Sequence, residues 1–130
     1  MMEKKVTVKE RDVFECIVKP PNERIVKILA SPEEGVLIPG YEEPVRGSLL
    51  TKDLTIGISI IPPGGGLSPH SHQNSEEVIY VLSGKGEYVI GDKRIRIEPG
   101  TSLLIPPGIE HKASNDGNKP LKQIWSVIEF

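Results

Sequence analysis

Short apolar runs, each bounded by Gly, Pro, Asn or Asp, follow one another along most of this 130-residue chain. No window keeps its apolar residues at the 3.6-residue spacing of an amphipathic helix over a helical length. Runs of this kind are typical of β-strands in a sandwich or a barrel. The pattern predicts about ten or eleven strands. The main runs are 14–19, 24–30, 36–38, 45–51, 55–61, 78–82, 87–90, 93–97, 103–105 and 123–128.

The second half of the chain shows the more regular pattern. Val78–Leu82 is apolar at both odd and even positions, which predicts a central strand that is covered on both faces. In the run 94–97 arginine alternates with isoleucine, so the isoleucines should face the core and the arginines the solvent. Gly91-Asp92 predicts a two-residue hairpin loop. Pro106-Pro107-Gly108 predicts a type II turn.

Composition limits the class of protein. The chain has 16 Lys and Arg against 18 Asp and Glu, for a formal charge of −2. Nucleic-acid binding needs a surplus of basic residues for phosphate contacts, so no nucleic-acid partner is expected. The length suits a single domain, 1–130. Cys16 is the only cysteine, which excludes an internal disulfide and a zinc site built from cysteines.

The N-terminal residues carry recurring charges and lack the apolar core of a signal peptide. The longest mainly apolar stretch without charge, 54–69, is interrupted by glycines and prolines and does not suit a membrane span. We therefore expect a soluble cytoplasmic protein with no membrane partner. Residues 1–45 carry none of the candidate chemistry. They are expected to form either extra strands of the same barrel or an arm that crosses to a partner subunit.

Three histidines carry the strongest chemical signal. His70 and His72 are two positions apart, so both side chains leave the same face of an extended segment. That face can present two imidazoles to one ion at about 2.1 Å. The polar residues 73–75 indicate a turn, after which Glu76 or Glu77 can return a carboxylate to the same point. Both positions are in phase with apolar residues, so the alternation alone does not choose between them.

The spacing of these residues, read together with His111, resembles the two motifs of the cupin family. The first motif is G, five residues, HxH, three or four residues, E, six residues, G. The second is G, five residues, PxG, two residues, H, three residues, N. Every specified position is filled between residues 64 and 115. The positions are Gly64, His70, His72, Glu77 and Gly84 in the first motif, and Gly100, Pro106, Gly108, His111 and Asn115 in the second.

The resemblance implies a small antiparallel jelly-roll β-barrel, the double-stranded β-helix, and a homodimer. It also implies one metal ion inside the barrel, held by His70, His72, Glu77 and His111. The six-residue interval to Gly84 in the family motif selects Glu77 over Glu76. Three imidazoles and one carboxylate suit a divalent transition ion, namely Fe, Mn, Ni, Cu, Co or Zn. Gln73 and Asn115 are expected to orient these ligands or to shape the turn of the second motif.

The interior that surrounds the ligands is expected to be apolar. Strand alternation places no Lys or Arg inside, because the arginines of the run 94–97 face outward. A bulky polyanionic substrate is therefore not expected. A small molecule that binds the metal through a carboxylate, enol or catechol oxygen fits better. The predicted lining residues are Ile58, Ile60, Ile79, Val81, Trp125 and Val127.

The leading hypothesis is a metalloenzyme that acts on a small organic molecule, with oxygenase chemistry first and lyase, isomerase or decarboxylase chemistry next. Glu76 and Tyr80 are the only candidates for a separate acid or base. One alternative is a non-catalytic protein that binds a small molecule or a metal. Another is a metal-free cupin of the sugar isomerase or epimerase type. Because this fold hosts many unrelated reactions, it does not decide among them.

Overall fold

The computed structural model describes residues 5–130, and almost all of its regular structure is β-strand. One turn of 3₁₀-helix, Glu10–Asp12, precedes the strands. The all-β fold predicted from the sequence is confirmed. The strands are β1 (Cys16–Val18), β2 (Arg24–Ser31), β3 (Leu49–Leu50), β4 (Leu54–Ile61), β5 (Gly66–His70), β6 (Ser75–Ser83), β7 (Gly86–Ile90), β8 (Lys93–Ile97), β9 (Ser102–Ile105), β10 (His111–Ser114) and β11 (Leu121–Glu129).

Two sheets form a jelly-roll barrel. The seven-stranded sheet has the order β1-β2-β4-β11-β6-β9, with β3 pairing in parallel with β2. The four-stranded sheet has the order β5-β10-β7-β8. Side chains from the two inner faces, such as Ile79 and Val81 of β6 and Tyr88 of β7, pack into a shared apolar core. No helix within residues 5–130 is long and apolar enough to cross a membrane.

The N-terminal region adds strands to the larger sheet. β2 pairs antiparallel with both β1 and β4, with Val26 opposite Ser59. Of the two alternatives for residues 1–45, the structure shows extra strands of the same barrel over 16–18 and 24–31. Residues 1–4 lie outside the described residues. This pairing brings β2 to the wall of the barrel that faces the candidate site.

The boundaries differ from the predicted pattern in the middle of the chain. The runs 36–38 and 45–51 form one isolated bridge, between Val36 and Val45, and the two-residue strand β3. The apolar pattern missed β5 and β10 because the first contains Pro69, which cannot donate to a sheet, and the second is rich in polar residues. These two strands carry His70 and His111.

The face of β6 that points away from the barrel is exposed. Val78, Tyr80 and Leu82 are each 43–45% exposed, whereas Ile79 and Val81 are buried. The prediction that this strand is covered on both faces is wrong. The strand belongs to an antiparallel sheet, and such a sheet can leave one face uncovered.

Two predicted turns are confirmed. Gly91 has a φ of +61° in the loop between β7 and β8. Gly108 has a φ of +78°, and the Ile109 N–H donates to the Pro106 carbonyl at 3.4 Å across the turn. In β8 the arginines face the solvent and Ile97 is buried, as the alternation predicts.

Candidate metal site and its cavity

A cavity of about 440 Å³ lies between the two sheets. Strands of both sheets line it, and the loop that follows β2 covers one side. Its walls combine apolar, charged and hydrogen-bonding side chains. The lining includes Arg24, Thr55, Ser59, Glu77, Ile79, Gln123, Trp125 and Val127 from the larger sheet, Leu67, His70, Tyr88 and His111 from the smaller one, and residues 34–39 of the loop.

The three histidines meet in this cavity, and we call the part that they line the histidine end. Their possible ligand atoms all lie within 4.8 Å of one another. Strand pairing explains the convergence, because His111 at the start of β10 is opposite His70 at the end of β5. His72 follows two residues after His70, and its carbonyl accepts a hydrogen bond of 2.7 Å from the Gly108 N–H.

Backbone carbonyls set the tautomers of two histidines. The Nδ1 atom of His70 lies 2.9 Å from the Ser68 carbonyl, and that of His111 lies 3.0 Å from the Ile109 carbonyl. A carbonyl only accepts, so each Nδ1 carries the proton and donates it. Each Nε2 therefore keeps its lone pair. The Nε2 atom of His111 is buried and has no hydrogen-bond partner in the described structure. This is expected for a nitrogen that binds a metal ion.

Burial keeps these imidazoles neutral. It lowers the pKa of His70 and His72 and lowers the pKa of His111 to about 4. The hydrogen bonds to Ser68 and Ile109 oppose the shift only in part. At neutral pH all three rings are in the deprotonated form that binds metals.

Glu77 lies beside the histidines on the inner face of β6. Its Oε1 atom is 3.7 Å from the Nε2 atom of His111. Burial raises the pKa of Glu77 to about 7, although the positive charge of Arg24 pulls it back toward its usual value. Among the described residues, the set of possible ligand atoms that all lie within 4.8 Å of one another contains the three histidines and not Glu77. Glu77 as a fourth ligand therefore remains a prediction. Glu76, its neighbour in the chain, is exposed.

These residues fit a divalent transition-metal ion. The fit rests on the buried, unpartnered Nε2 of His111 and on two neutral imidazoles oriented by the backbone. A carboxylate lies close to them. Nitrogen donors with one hard oxygen donor suit the borderline ions of the first transition row. The identity of the ion does not follow from the donors alone.

Asn115 forms its side-chain hydrogen bonds with backbone groups. It is fully buried, and its Nδ2 atom donates to the carbonyls of Ile61 and Lys119 at 2.8 and 2.7 Å. Its Oδ1 atom accepts from the Gly117 N–H at 3.0 Å. These hydrogen bonds hold the loop that joins β10 to β11, and a role of Asn115 at the ligands or in the turn of the second motif stays a prediction. Gln73 is exposed.

The two acid–base candidates are not in the cavity. Glu76 and Tyr80 are both exposed on β6, and neither side chain is part of the cavity lining. They share the outward parity of Val78, whereas Glu77 and Ile79 point inward. Tyr88 is fully buried and lines the cavity.

The prediction that no Lys or Arg lies inside is wrong. Arg24 is 4% exposed and lines the cavity. It shares the parity of Val26 and Ile28, which are buried, and this was the signal available in the sequence. The signal was hidden because the opposite parity of β2 also carries apolar residues, Ile25 and Leu29.

The apolar lining was predicted only in part. Ile79, Trp125 and Val127 line the cavity, but Ile58, Ile60 and Val81 do not. The error has one cause on β4, where Thr55, Gly57 and Ser59 face inward and the isoleucines between them face the other way. The Trp125 indole lies on Gly57, where a Cβ atom would overlap the ring, and its Nε1–H donates to the Ser59 Oγ at 2.9 Å.

Comparison with known proteins identifies the family. The cupin domain model matches residues 57–127. An uncharacterized protein of Methanocaldococcus jannaschii is 38% identical over 64 residues, which cover 49% of this chain and 51% of that protein. Acireductone dioxygenase 1 of Coprinopsis cinerea is 38% identical over 63 residues, covering 44% of this chain and 35% of that protein. The chain spans about half the length of the first curated relatives it matches.

A solved structure supports the fold over nearly the whole chain. The crystal structure of a predicted oxalate decarboxylase from Thermotoga maritima has a TM-score of 0.73 and 19% sequence identity. The alignment covers 96% of this chain and all of that chain. Because the family match covers more than half of the residues and the barrel agrees with it, this protein belongs to the cupin family.

Proposed function

We propose that this protein is a metal-dependent cupin enzyme that acts on a small organic molecule inside the barrel. One observation carries the proposal. The ligand atoms of His70, His72 and His111 lie within 4.8 Å of one another in the wall of a cavity of about 440 Å³. A cavity of this size suits a small ligand. Glu77 is proposed as the fourth metal ligand.

The side chains of this cavity have separate tasks in the proposed enzyme. A divalent transition ion bound by the histidines supplies Lewis-acid or oxygen chemistry. His70 and His111 keep their Nδ1 protons on backbone carbonyls and so hold their rings in one orientation. In the metal-free protein Glu77 holds a proton near neutral pH because its pKa is about 7. Ile79, Trp125 and Val127 give the cavity its apolar surface.

Oxygenase chemistry is the first class to test. The partial similarity to an acireductone dioxygenase supports this order, although it covers less than half of this chain. Lyase, isomerase and decarboxylase chemistry follow, since metal-polarised substrate oxygens serve those reactions as well. The candidate ions remain Fe, Mn, Ni, Cu, Co and Zn.

The test begins with elemental analysis of untagged protein that has been purified without a nickel column. About one iron or manganese ion per chain is expected, since one three-histidine cluster is present among the described residues. Oxygen consumption would then be followed across small carboxylates, diketones and catechols. Protein that holds no metal and takes up none on titration would contradict the proposal.

A second candidate is a non-catalytic binding protein. It is favoured by the exposure of Glu76 and Tyr80, which leaves the cavity without the acid–base groups that the sequence suggested. This candidate predicts stoichiometric capture of a ligand with no turnover by the metal-loaded protein. A metal-free sugar isomerase or epimerase is the weaker reading, because such an activity does not require a three-histidine cluster.

We also propose a homodimer, as the family resemblance implies. The outer face of β6 and β9 supports it, because Val78, Tyr80, Leu82 and Leu104 are exposed side by side. A second copy of the chain would remove this apolar surface from water. Sedimentation equilibrium should give twice the mass of one chain, and the mass of one chain would contradict it. A cytoplasmic location stays a prediction from the sequence.

A further inference from the structure

Arg24 is a buried cation without an anionic partner. Within residues 5–130 it forms no ion pair with a carboxylate. Among the described residues its side chain makes one hydrogen bond, from Nη1 to the Asn22 carbonyl at 2.8 Å. A guanidinium has five N–H donors, and a charge at 4% exposure is costly unless it is paired.

Hydrogen bonds join the two residues before Arg24 to β5, the strand that carries His70. The Ser68 N–H of β5 donates to the Asn22 Oδ1 at 2.8 Å, and the Gly66 N–H donates to the Glu23 carbonyl at 3.3 Å. The Arg24 charge lowers the pKa of both His70 and Glu77, which places it within electrostatic reach of the metal site. Although burial lowers its own pKa to about 10, Arg24 is charged at neutral pH.

Two further polar side chains line the same cavity as Arg24. The Gln123 Nε2–H donates to the Tyr88 hydroxyl at 2.6 Å, and both side chains are completely buried. Since the hydroxyl accepts this bond, its own proton remains available. The Gln123 Oε1 atom is buried with no partner in the described structure. Arg24, Tyr88 and Gln123 all line the cavity, and we call this group of side chains the arginine end.

We propose that the arginine end binds the carboxylate of a small organic acid, while the histidine end binds the rest of the same molecule. The Arg24 guanidinium pairs with the carboxylate, and the Tyr88 hydroxyl is a second donor. The unpartnered Gln123 Oε1 favours an acid that also carries a hydroxyl group. This inference rests on the proposed function, because it names the class of ligand that the proposed small-molecule site binds.

The charges of the cavity favour one carboxylate over a phosphate. Arg24 is the only Lys or Arg among the described lining residues, so it can neutralise one negative charge. Glu34, Glu77 and Glu129 also line the cavity, and they would repel a second negative charge. A dianionic phosphate group would meet this repulsion without further cations to offset it.

Calorimetric titration of acids against their uncharged amides tests the proposal. The pairs are acetate with acetamide, lactate with lactamide, and benzoate with benzamide, each with metal-free and with zinc-loaded wild-type protein. At least one acid should bind about tenfold or more tightly than its amide, since a charge-assisted hydrogen bond is lost in the amide. Lactate should lead if the Gln123 acceptor is used. No preference for any acid over its amide would overturn the proposal.

Variants then assign the preference to Arg24. Arg24→Gln should remove the acid preference, and Arg24→Lys should restore part of it. The matched control is Lys27→Gln, on the same strand, where a nearly buried cation pairs with Glu10 at 3.0 Å instead of lining the cavity. This control should bind every probe within about twofold of wild type. If Arg24→Gln does not fold, the difference in affinity between acid and amide, measured in wild type and in Arg24→Lys, still tests the proposal.

Zinc titration of the same variants separates this inference from the proposed function. Arg24→Gln should still take up one equivalent of zinc. A variant that loses zinc binding but keeps the acid preference would make Arg24 only a counter-ion for Glu77 and overturn the inference. Failure of wild-type protein to bind any metal would contradict the metalloenzyme, while the acid preference of the metal-free protein would still report on Arg24.

Discussion

The histidine end and the arginine end of the cavity are assembled from the chain in different ways. At the histidine end, His70 and His72 are two residues apart, and the rings of His70 and His111 are each oriented by a carbonyl two residues away. At the arginine end, Arg24, Tyr88 and Gln123 come from three strands of two sheets. The hydrogen bond between two of these side chains, Gln123 and Tyr88, joins residues 35 positions apart.

This difference reflects the chemistry that each end performs. A metal ion accepts only a few donor types within narrow distances, so its ligands recur at fixed local spacings. Recognition of an organic ligand needs a charge and some hydrogen-bonding groups, and any strand that faces the cavity can provide them. One end can therefore be recognised from a motif, whereas the other becomes visible only in the folded barrel.

Removal of a histidine should have the largest effect. His111→Ala deletes a direct candidate ligand, so zinc affinity should fall more than about 100-fold, beyond the range seen when only a residue behind a ligand is lost. Competition with a chromogenic chelator measures it. Lys112→Ala, at the exposed next position of β10, is the control and should bind zinc normally. Full zinc retention in His111→Ala would contradict the ligand set.

Asn115→Ala should affect stability rather than the metal. It removes three hydrogen bonds, to Ile61, Lys119 and Gly117, from a buried side chain. The free energy of unfolding should fall by about 2–3 kcal/mol, measured by urea denaturation of the metal-free protein. Asn118→Ala, an exposed neighbour, should change it by less than about 0.5 kcal/mol. A loss of zinc affinity as large as that of His111→Ala would instead place Asn115 at the metal.

Glu77 should give the metal affinity its pH dependence. The folded pKa of Glu77, about 7, lies above its ordinary value, so a metal that binds this carboxylate must displace a proton below pH 7. Zinc affinity should rise about fivefold from pH 6 to 7 and by less than about twofold above pH 7. Because burial holds the pKa of His111 near 4, that ring adds no slope in this window.

Glu77→Gln should flatten this profile, and zinc titrations at several pH values test it. Glu76→Gln, at the exposed neighbouring position, should keep the slope. In the metal-free wild type, the raised pKa of Glu77 contributes stability that is fully present below pH 4.5 and is lost as the pH rises through 7. A slope retained in Glu77→Gln would remove Glu77 from the ligand set.

Tyr88→Phe should give the smallest change. It leaves the buried Gln123 Nε2–H without an acceptor, so the free energy of unfolding should fall by about 1 kcal/mol while zinc affinity stays unchanged. Thermal denaturation with and without zinc measures both. Tyr80→Phe on the exposed face of β6 is the matched control. A change in zinc affinity in Tyr88→Phe would mean that the two ends of the cavity are not separate.

The sequence predicted the barrel and the histidine cluster, but not the shape and charge of the cavity. Some signals are local, such as the alternating pattern of β8 and the turn glycine Gly91. These were interpreted correctly. The inward face of β4 was predicted wrongly, because a strand with isoleucines on one parity and Thr55 and Ser59 on the other is expected to point its isoleucines inward. Arg24 was missed for a related reason, since only the packing of the two sheets reveals which face of β2 is enclosed.

The position of the cavity between two sheets has a mechanical consequence. His70 and His111 belong to the smaller sheet, whereas Glu77 and Arg24 belong to the larger one. A bound molecule that contacts both groups of residues would connect the two sheets. At a concentration of 100 times its dissociation constant, it would stabilise the fold by about 2.7 kcal/mol. Protection of backbone amides from hydrogen exchange should then increase in both sheets at once, including strands that do not touch the occupant.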